Sequence, residues 1–245
     1  NSAIVIAISM LAADISIAQQ GIEEVVVTAR KREENVQDVP MAIAAFSAEQ
    51  LARNQVSDIT DLQKMTPNIT INETSGLLTG AVQIFVRGIG NDPGFDQGVG
   101  IYVDDVYLNH AGGAVLDVYD IERIEVLKGP QGQLYGRNTI GGAIKYISRE
   151  PGDALEAGLE GQVGSDNLVR LKGNISGPLV PGQLFGGFAF ATKHRDGYQR
   201  NIYDGSRWAD ADVQSFRGTL VWSAAEALRV KVVADRSRDD SRPGI

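Results

Sequence analysis

The sequence has no cysteine and only two histidines, His110 and His194, far apart in 245 residues. Without cysteine there are no disulfides, thiolate metal sites or cysteine nucleophiles. Two isolated histidines argue against a zinc centre and against a Ser-His-Asp triad. Positive charge is also scarce. Against 31 Asp and Glu there are 23 Lys and Arg, a formal charge of −8, whereas a general nucleic-acid binder shows a basic face. Proline is sparse, at 8, beside 28 glycines, so turns are frequent without the composition of a disordered chain. The apolar run Ala3–Ala13 is too short to cross a bilayer as a helix.

The charge is divided unevenly. Residues 19–152 carry 11 basic and 18 acidic side chains, a net of −7, whereas residues 153–245 carry 12 of each. The two parts are different objects.

What is present is glycine set between strands. Residues 121–147 (IERIEVLKGPQGQLYGRNTIGGAIKYI) predict a strand, a turn region and a second strand. Gly129, Gly132, Gly136, Gly141 and Gly142 permit sharp turns, and Pro130 ends the first ladder. A Walker A loop is excluded, since no Gly-Lys-Ser/Thr triplet follows these glycines. From the residues alone, a glycine-rich surface loop remains an equal alternative. The run ERIEVLKGPQGQLYGRNTIGGAI, however, resembles the closing signature of the plug domain of TonB-dependent outer-membrane receptors, a family in which a β-barrel follows. The positions that match are Arg123, Glu125, Gly129, Pro130, Tyr135, Gly136, Gly141 and Gly142, with Arg87 and Gly88 earlier in the chain.

The start of the chain fits that order. Ala3–Ala13 has the length of a signal-peptide core, and Ser16-Ile17-Ala18 fits a small-x-small cleavage site. Export is the expectation. Glu23, Glu24, Val25, Val26, Val27, Thr28 and Ala29 then form a short β-prone segment. With an unpaired edge, such a segment can add itself to another protein's sheet. By position and sequence it resembles the TonB box, which in the family pairs with the energy-coupling protein TonB. Arg30–Asp38 is charged and unpatterned, and as an extended tether it would reach roughly 30 Å.

Two short helices are predicted next. Ser47 and Gln50 form a capping box, with Phe46 and Leu51 as a hydrophobic staple. A second helix starts at Ser57 or Asp58, runs through Leu62 and Met65, and stops before Pro67. The order of TARKREENVQDVP, FSAEQL and DLQKMTPNI also resembles the plug family. Gly88 and Gly90 lack the further spacing of a dinucleotide fingerprint. Ile101–Val103 and Val106–Leu108 flank Asp104-Asp105 as a tight hairpin. The family commonly has Asp-Gly there, so Asp105 leaves the turn type open.

Beyond Gly152 the pattern becomes dyadic. Five strands are predicted at about 156–165, 167–176, 183–195, 212–223 and 227–238, with short joins at Gly177–Gly182 and Ala224–Glu226. Residues 196–211 form a long polar loop bearing Tyr198, Tyr203 and Trp208. Strands apolar on one side and charged on the other suit a transmembrane barrel, and Trp222 at a strand end suits an interfacial belt. A soluble β-sandwich gives the same alternation. Five strands cannot close a barrel, and the 22-strand barrel of the family implies that more strands belong to it.

The resemblance thus implies an α+β plug domain followed by the first antiparallel strands of a transmembrane β-barrel. The expected division is 1–18 signal remnant, 19–39 TonB box and linker, 40–152 plug and 153–245 start of the barrel. It implies active import of a scarce nutrient, typically an iron-siderophore chelate, across the outer membrane of a Gram-negative bacterium, with the N-terminus periplasmic. The implied partners are TonB, outer-membrane lipid and a small-molecule nutrient. No catalysis, metal, cofactor or nucleic acid is expected. Asp92 and Asp96 read as solvated rather than as calcium ligands. Candidate ligand contacts are Asp92, Phe95, Asp96, Gln97, Asn109 and His110 on plug loops and Tyr198, Tyr203 and Trp208 above them. The alternative class is an exported, non-transporting binding or adhesion module with a β-sandwich after residue 152. A signalling receptor would need an extra folded domain before the box.

Overall fold

In the computed structural model the described residues are 26–73, 82–90, 97–108, 119–225 and 228–242. Strand β9 (Ile121–Lys128) is an interior strand of a five-stranded sheet, flanked by β3 (Ala42–Ser47) and β10 (Gly142–Ser148). Beyond β10 come β7 (Val99–Val103) and β8 (Val106–Tyr107). All neighbours are antiparallel except β10 and β7, which run parallel with Ile144 opposite Ile101. The expected strand–turn–strand is therefore β9 and β10, with Lys145 opposite Glu125. Gly142 has a φ of +151°, and a side chain there would run into the carbonyl oxygen of Leu127. One element escaped the sequence. Gly132–Tyr135 is a single helical turn, α3, inside the supposed turn region.

The sheet is buried on both faces. On one, Ile124 and Val126 of β9, Ile144 and Tyr146 of β10 and Val99 and Ile101 of β7 share a core with Leu51, Ile59 and Leu62. These last residues come from helix α1 (Ala48–Arg53), a 3-10 turn (Ile59–Asp61) and helix α2 (Leu62–Met65). The capping box at Ser47 and Gln50 is present in both directions. The single second helix expected is instead two pieces, because Asp58 caps the 3-10 turn through the Thr60 amide. A small sheet of β4 (Ile69–Glu73), β5 (Val82–Val86) and β6 (Ile89–Gly90) completes this layer.

On the other face, Leu127, Ala143, Tyr102 and Tyr135 pack with Val27, Ala29 and Val39. Here the structure corrects the sequence. The β-prone N-terminal segment is not an isolated strand on an extended tether. Strand β1 (Val26–Val27) pairs antiparallel with β2 (Glu34–Asn35), so residues 26–35 fold back as a hairpin. Its charged residues pair with one another, Arg30 and Arg32 both reaching Glu34, which is why the linker looked unpatterned. The hairpin Asp104-Asp105 has φ of +47° and +66°, the type I′ geometry that aspartate tolerates.

A second five-stranded sheet runs β11 (Glu156–Gly164), β12 (Leu168–Val180), β13 (Leu184–Arg195), β16 (Ala211–Ala225) and β17 (Leu228–Asp239), antiparallel throughout. Strand β12 continues through Gly177 and Pro178, which had been expected in a turn. A register shift between Pro178 and Val180 accommodates the proline, which has no N–H for the ladder. The join is only residues 181–183; of the other expected join, Ala224 and Ala225 continue strand β16 and Glu226 lies outside the described residues. One face carries exposed Leu171, Ile175, Phe188, Phe216, Leu220, Trp222, Val230 and Val232. The opposite face holds buried Arg170, Ser215, Arg217 and Thr219 and turns towards the first sheet. Arg170 reaches Ser57, Arg217 lies over Tyr119 at 5.5 Å, and Arg229 and Lys231 meet Glu150 at 2.6 and 3.3 Å. Among the described residues no helix is long and apolar enough to cross a membrane, which says nothing about strands.

Candidate functional site

The residues of the closing signature converge on Thr28. Glu125 and Lys145 are cross-strand partners whose side chains project to the hairpin face, Glu125 fully buried and Lys145 nearly so. The Thr28 amide donates to Glu125 Oε1 at 2.8 Å, and the Thr28 carbonyl accepts from Lys145 Nζ at 3.1 Å. The Thr28 hydroxyl donates to Glu125 Oε1 at 3.2 Å and accepts from Lys145 Nζ at 2.9 Å. Every polar group of one residue is therefore met by a buried ion. Arg123 Nε donates to Glu125 Oε1 at 2.9 Å, and Lys145 lies 3.2 Å from Asp105 Oδ1.

The next residue is held as firmly. Ala29 is fully buried, and its carbonyl accepts from the Tyr135 hydroxyl at 2.7 Å. Tyr135 is positioned in turn by Tyr102, whose hydroxyl donates to the Tyr135 carbonyl at 2.7 Å. Burial, and then the charge of Glu125, raises the pKa of Tyr135 well above the usual phenol range, and burial raises that of Tyr102. Both phenols stay protonated and donate. The role of α3 is thus to place one hydroxyl under the N-terminal segment.

Of the candidate TonB-contact residues, Val26, Val27, Thr28 and Ala29 are described, whereas Glu23, Glu24 and Val25 lie outside the described residues. Val26 is exposed, Val27 fully buried. Of the other signature residues, Arg87 and Gly88 form the β5–β6 turn with φ of +54° and +79°. Gly129 and Gly136 take positive φ around α3, Pro130 precedes it, and the Gly141 amide donates to the Gly98 carbonyl. Sequence reading missed Lys145 and Asp105. A lysine inside the apolar run AIKYI was the one signal available.

The candidate ligand residues are not brought together. Asp92, Phe95, Asp96, Asn109 and His110 lie outside the described residues. Gln97 is not on an exposed loop surface. It is buried, with both amide atoms lacking a hydrogen-bond partner among the described residues. Tyr198 and Tyr203 are exposed, Tyr203 at 93 %. Tyr198 stacks under Arg195 at 5.3 Å, and Trp208 Nε1 donates to Ser206 Oγ at 2.8 Å. Short strands β14 (Gln199–Arg200) and β15 (Arg207–Trp208) pair to carry this loop. Where the first sheet meets the second, Asp120 is a half-buried acid. Burial pushes its pKa up to about 6, with Arg217 and Arg149 opposing the rise and Asp104 and Asp235 adding to it.

The TonB-dependent Receptor Plug Domain family model matches residues 35–143. The chain is 29% identical over 198 residues to the pesticin receptor of Yersinia pestis, covering 79% of this chain and 29% of that one. It is 32% identical over 130 residues to the vitamin B12 transporter BtuB of Vibrio vulnificus, covering 51% of this chain and 20% of the other. The crystal structure of the ferric yersiniabactin uptake receptor FyuA from Yersinia pestis superposes with a TM-score of 0.75 at 26% identity, covering 80% of this chain and 31% of that one. The chain thus spans under a third of the length of these relatives. That superposition takes in the antiparallel second sheet, which matches barrel strands of such receptors. With a plug core built on β9 and β10 and antiparallel barrel strands behind it, the chain belongs to the family of TonB-dependent receptors.

Proposed function

We propose that this chain serves TonB-dependent import of a scarce nutrient across the outer membrane, with the first sheet as the gate inside a barrel to which the second sheet belongs. The observation that carries this reading is the docking of Val26–Ala29 onto the signature face by Glu125, Lys145 and Tyr135. A segment suited to strand addition is stored, with β1 paired on one side only. The outer membrane has no ATP and no useful ion gradient, so energy must come from the inner membrane. A potential there supplies about 2.3 kcal/mol per charge per 100 mV. Ligand bound at the outer loops favours the released segment, TonB pairs with it, and by linkage both favour the same state.

The exposed apolar face of the second sheet is the lipid face in this reading, with residues 196–210 outside the cell and the N-terminus in the periplasm. We assign residues 19–39 to the coupling segment, 40–152 to the plug and 153–245 to the barrel. Curated relatives include a vitamin B12 transporter and a ferrichrome outer membrane transporter, which supports a chelate or cobalamin-sized solute and no catalytic step. The test is Val26→Pro in the full-length receptor, which removes a backbone N–H from the coupling strand. Uptake should be lost while ligand binding and membrane level persist. Unimpaired growth on the limiting nutrient would sink the assignment.

A further inference from the structure

We propose that the outer face of the second sheet holds one acyl chain of a periplasmic-leaflet phospholipid in a glycine-floored groove, as a slowly exchanging ligand rather than as bulk solvent. The site rests on the reading of that face as the lipid face, and on nothing about the solute or TonB.

The groove lies where side chains are missing. The registers place Gly177 opposite Gly186 on β12 and β13, and Gly218 opposite Ala234 on β16 and β17. Phe188 stands beside Gly218. These small residues share the outward parity of Ile175, Phe188 and Leu220, and a trough of about 510 Å³ crosses the four strands. Leu155 and Leu179 form one wall. A Cβ at Gly177 would lie 3.2 Å from Leu155 Cδ1, and one at Gly186 would lie 2.8 Å from Leu179 Cδ1. A Cβ at Gly218 would meet nothing within 4 Å. Ile175, Phe188, Leu220 and Val232, all exposed, complete the rim.

Three observations identify the occupant. The first is chemistry. No described residue lining the trough is charged, and its two hydroxyl residues, Ser176 and Thr219, have the parity of the opposite face. Water, which needs polar partners, does not settle there, and an empty trough in lipid forfeits dispersion contacts. The second is width. Along β16 the opening at Gly218 lies between Phe216 and Leu220, the nearest outward residues, and is one side chain wide. A polymethylene chain enters such a slot, whereas a helix, about 10 Å across, does not reach its floor. The third is position. The trough is continuous with the apolar face of strands that match a receptor barrel, and lipid covers that face of a barrel. It lies by the end of β12 and the start of β13, at the join 181–183 and away from the long loop 196–210. Short turns are periplasmic. The chain available there belongs to phospholipid, not to the lipopolysaccharide of the outer leaflet.

Retention comes from packing, because in lipid one apolar surface has no hydrophobic preference for another. The floor strands β13 and β16 are laddered on both sides, so the walls hold their spacing. A chain that leaves gives up contacts that return only when another enters.

The experiment uses the full-length receptor, delipidated in detergent, with retained phospholipid counted by mass spectrometry of the intact complex. Reconstitution with phosphatidylethanolamine spin-labelled in mid-chain then gives the motionally restricted fraction. Gly218→Leu fills the trough without a clash. It should lower the retained phospholipid by one molecule per receptor and shrink the restricted fraction to match. Phe188→Ala opens the rim and should speed exchange of that molecule about five-fold or more. Val169→Leu, on the same face but outside the trough, should match the parent. Equal retention by the parent and Gly218→Leu would overturn the proposal. So would an equal loss in Val169→Leu, or lipopolysaccharide as the molecule displaced. A dimer that becomes a monomer in Gly218→Leu, with the lipid count unchanged, would give the groove to a second copy instead. If Gly218→Leu fails to assemble, Gly218→Val and Phe188→Ala decide. Failure of the lipid-face reading would show separately, as normal assembly of Leu171→Arg and Val230→Arg.

Discussion

Asp104 binds Ser148 twice, accepting from its amide through Oδ1 at 2.8 Å and from its hydroxyl through Oδ2 at 2.5 Å. The tip of the β7–β8 hairpin is thereby fastened to the last residue of β10, just before the chain enters the second sheet. Lys231 of β17 stands 3.6 Å from the same carboxylate. Asp104→Ala loses both acceptors and places alanine at a φ of +47°. A cost of about 2–3 kcal/mol is expected, read as lost hydrogen-exchange protection over Ile144–Ser148. Asp104→Asn keeps the turn preference and should cost less. Equal protection in all three proteins would show that the contact is incidental.

The two faces of the second sheet should respond differently to charge. Leu171→Arg and Val230→Arg place a cation on the exposed apolar face and should cost roughly 2–4 kcal/mol if that face meets mid-bilayer lipid. Assembly of the full-length receptor, followed by heat-modifiable mobility, is the readout. Lys231→Leu is not a mild change on the other face, because it removes a cation shared by Asp104 and Glu150. Normal assembly of both arginine variants would remove the lipid face.

Asp120 gives the junction of the two sheets a pH dependence. Its folded pKa of about 6 lies above the ordinary 3.8, so the native state holds the proton more tightly than the unfolded state. That contribution is complete below about pH 4 and is lost as pH rises through about 6. Hydrogen-exchange protection of β9 and β10, measured between pH 4 and 6.5 after correction for intrinsic exchange, should fall across that window. Asp120→Asn should flatten the slope. An unchanged slope in that variant would place the titration elsewhere.

Ser47→Ala removes the acceptor for the Gln50 amide and should cost about 1 kcal/mol. Gln50→Ala removes the reciprocal bond to the Ser47 amide. Combined, the two should cost less than their sum, since each bond orients the other's residue. Strict additivity would mean that the box acts as two independent caps.

Local chemistry was legible in the sequence, and distant chemistry was not. Ser47 and Gln50 stand three residues apart and Asp104-Asp105 are adjacent, so the cap and the turn could be read directly. The alternation around Leu171 and Val230 gave the strands of the second sheet, because side-chain direction reverses at every residue. Thr28 meets Glu125 and Lys145 across separations of 97 and 117 residues, which no periodicity encodes. The hairpin at 26–35 was hidden because its second strand is Glu34–Asn35, with no apolar alternation, and its polar contacts are with ions distant in sequence. Helical turn α3 was hidden because its four residues, Gly132–Tyr135, begin with glycine and are followed by Gly136.

The position of β3 at the margin of the first sheet has a mechanical consequence. Tension applied at the N-terminus would open the β1–β2 hairpin from its free end, two residue pairs in turn, and then load the Thr28 contacts one residue at a time. The next element in line is β3, held along one side only, by β9 from Ala42 opposite Lys128 to Ser47 opposite Arg123. Drawn across its own axis, a strand in this arrangement peels, so its bonds fail in sequence and the peak load stays near that of a single pair. The central pair β9 and β10, flanked on both sides, would carry load only after β3 has gone.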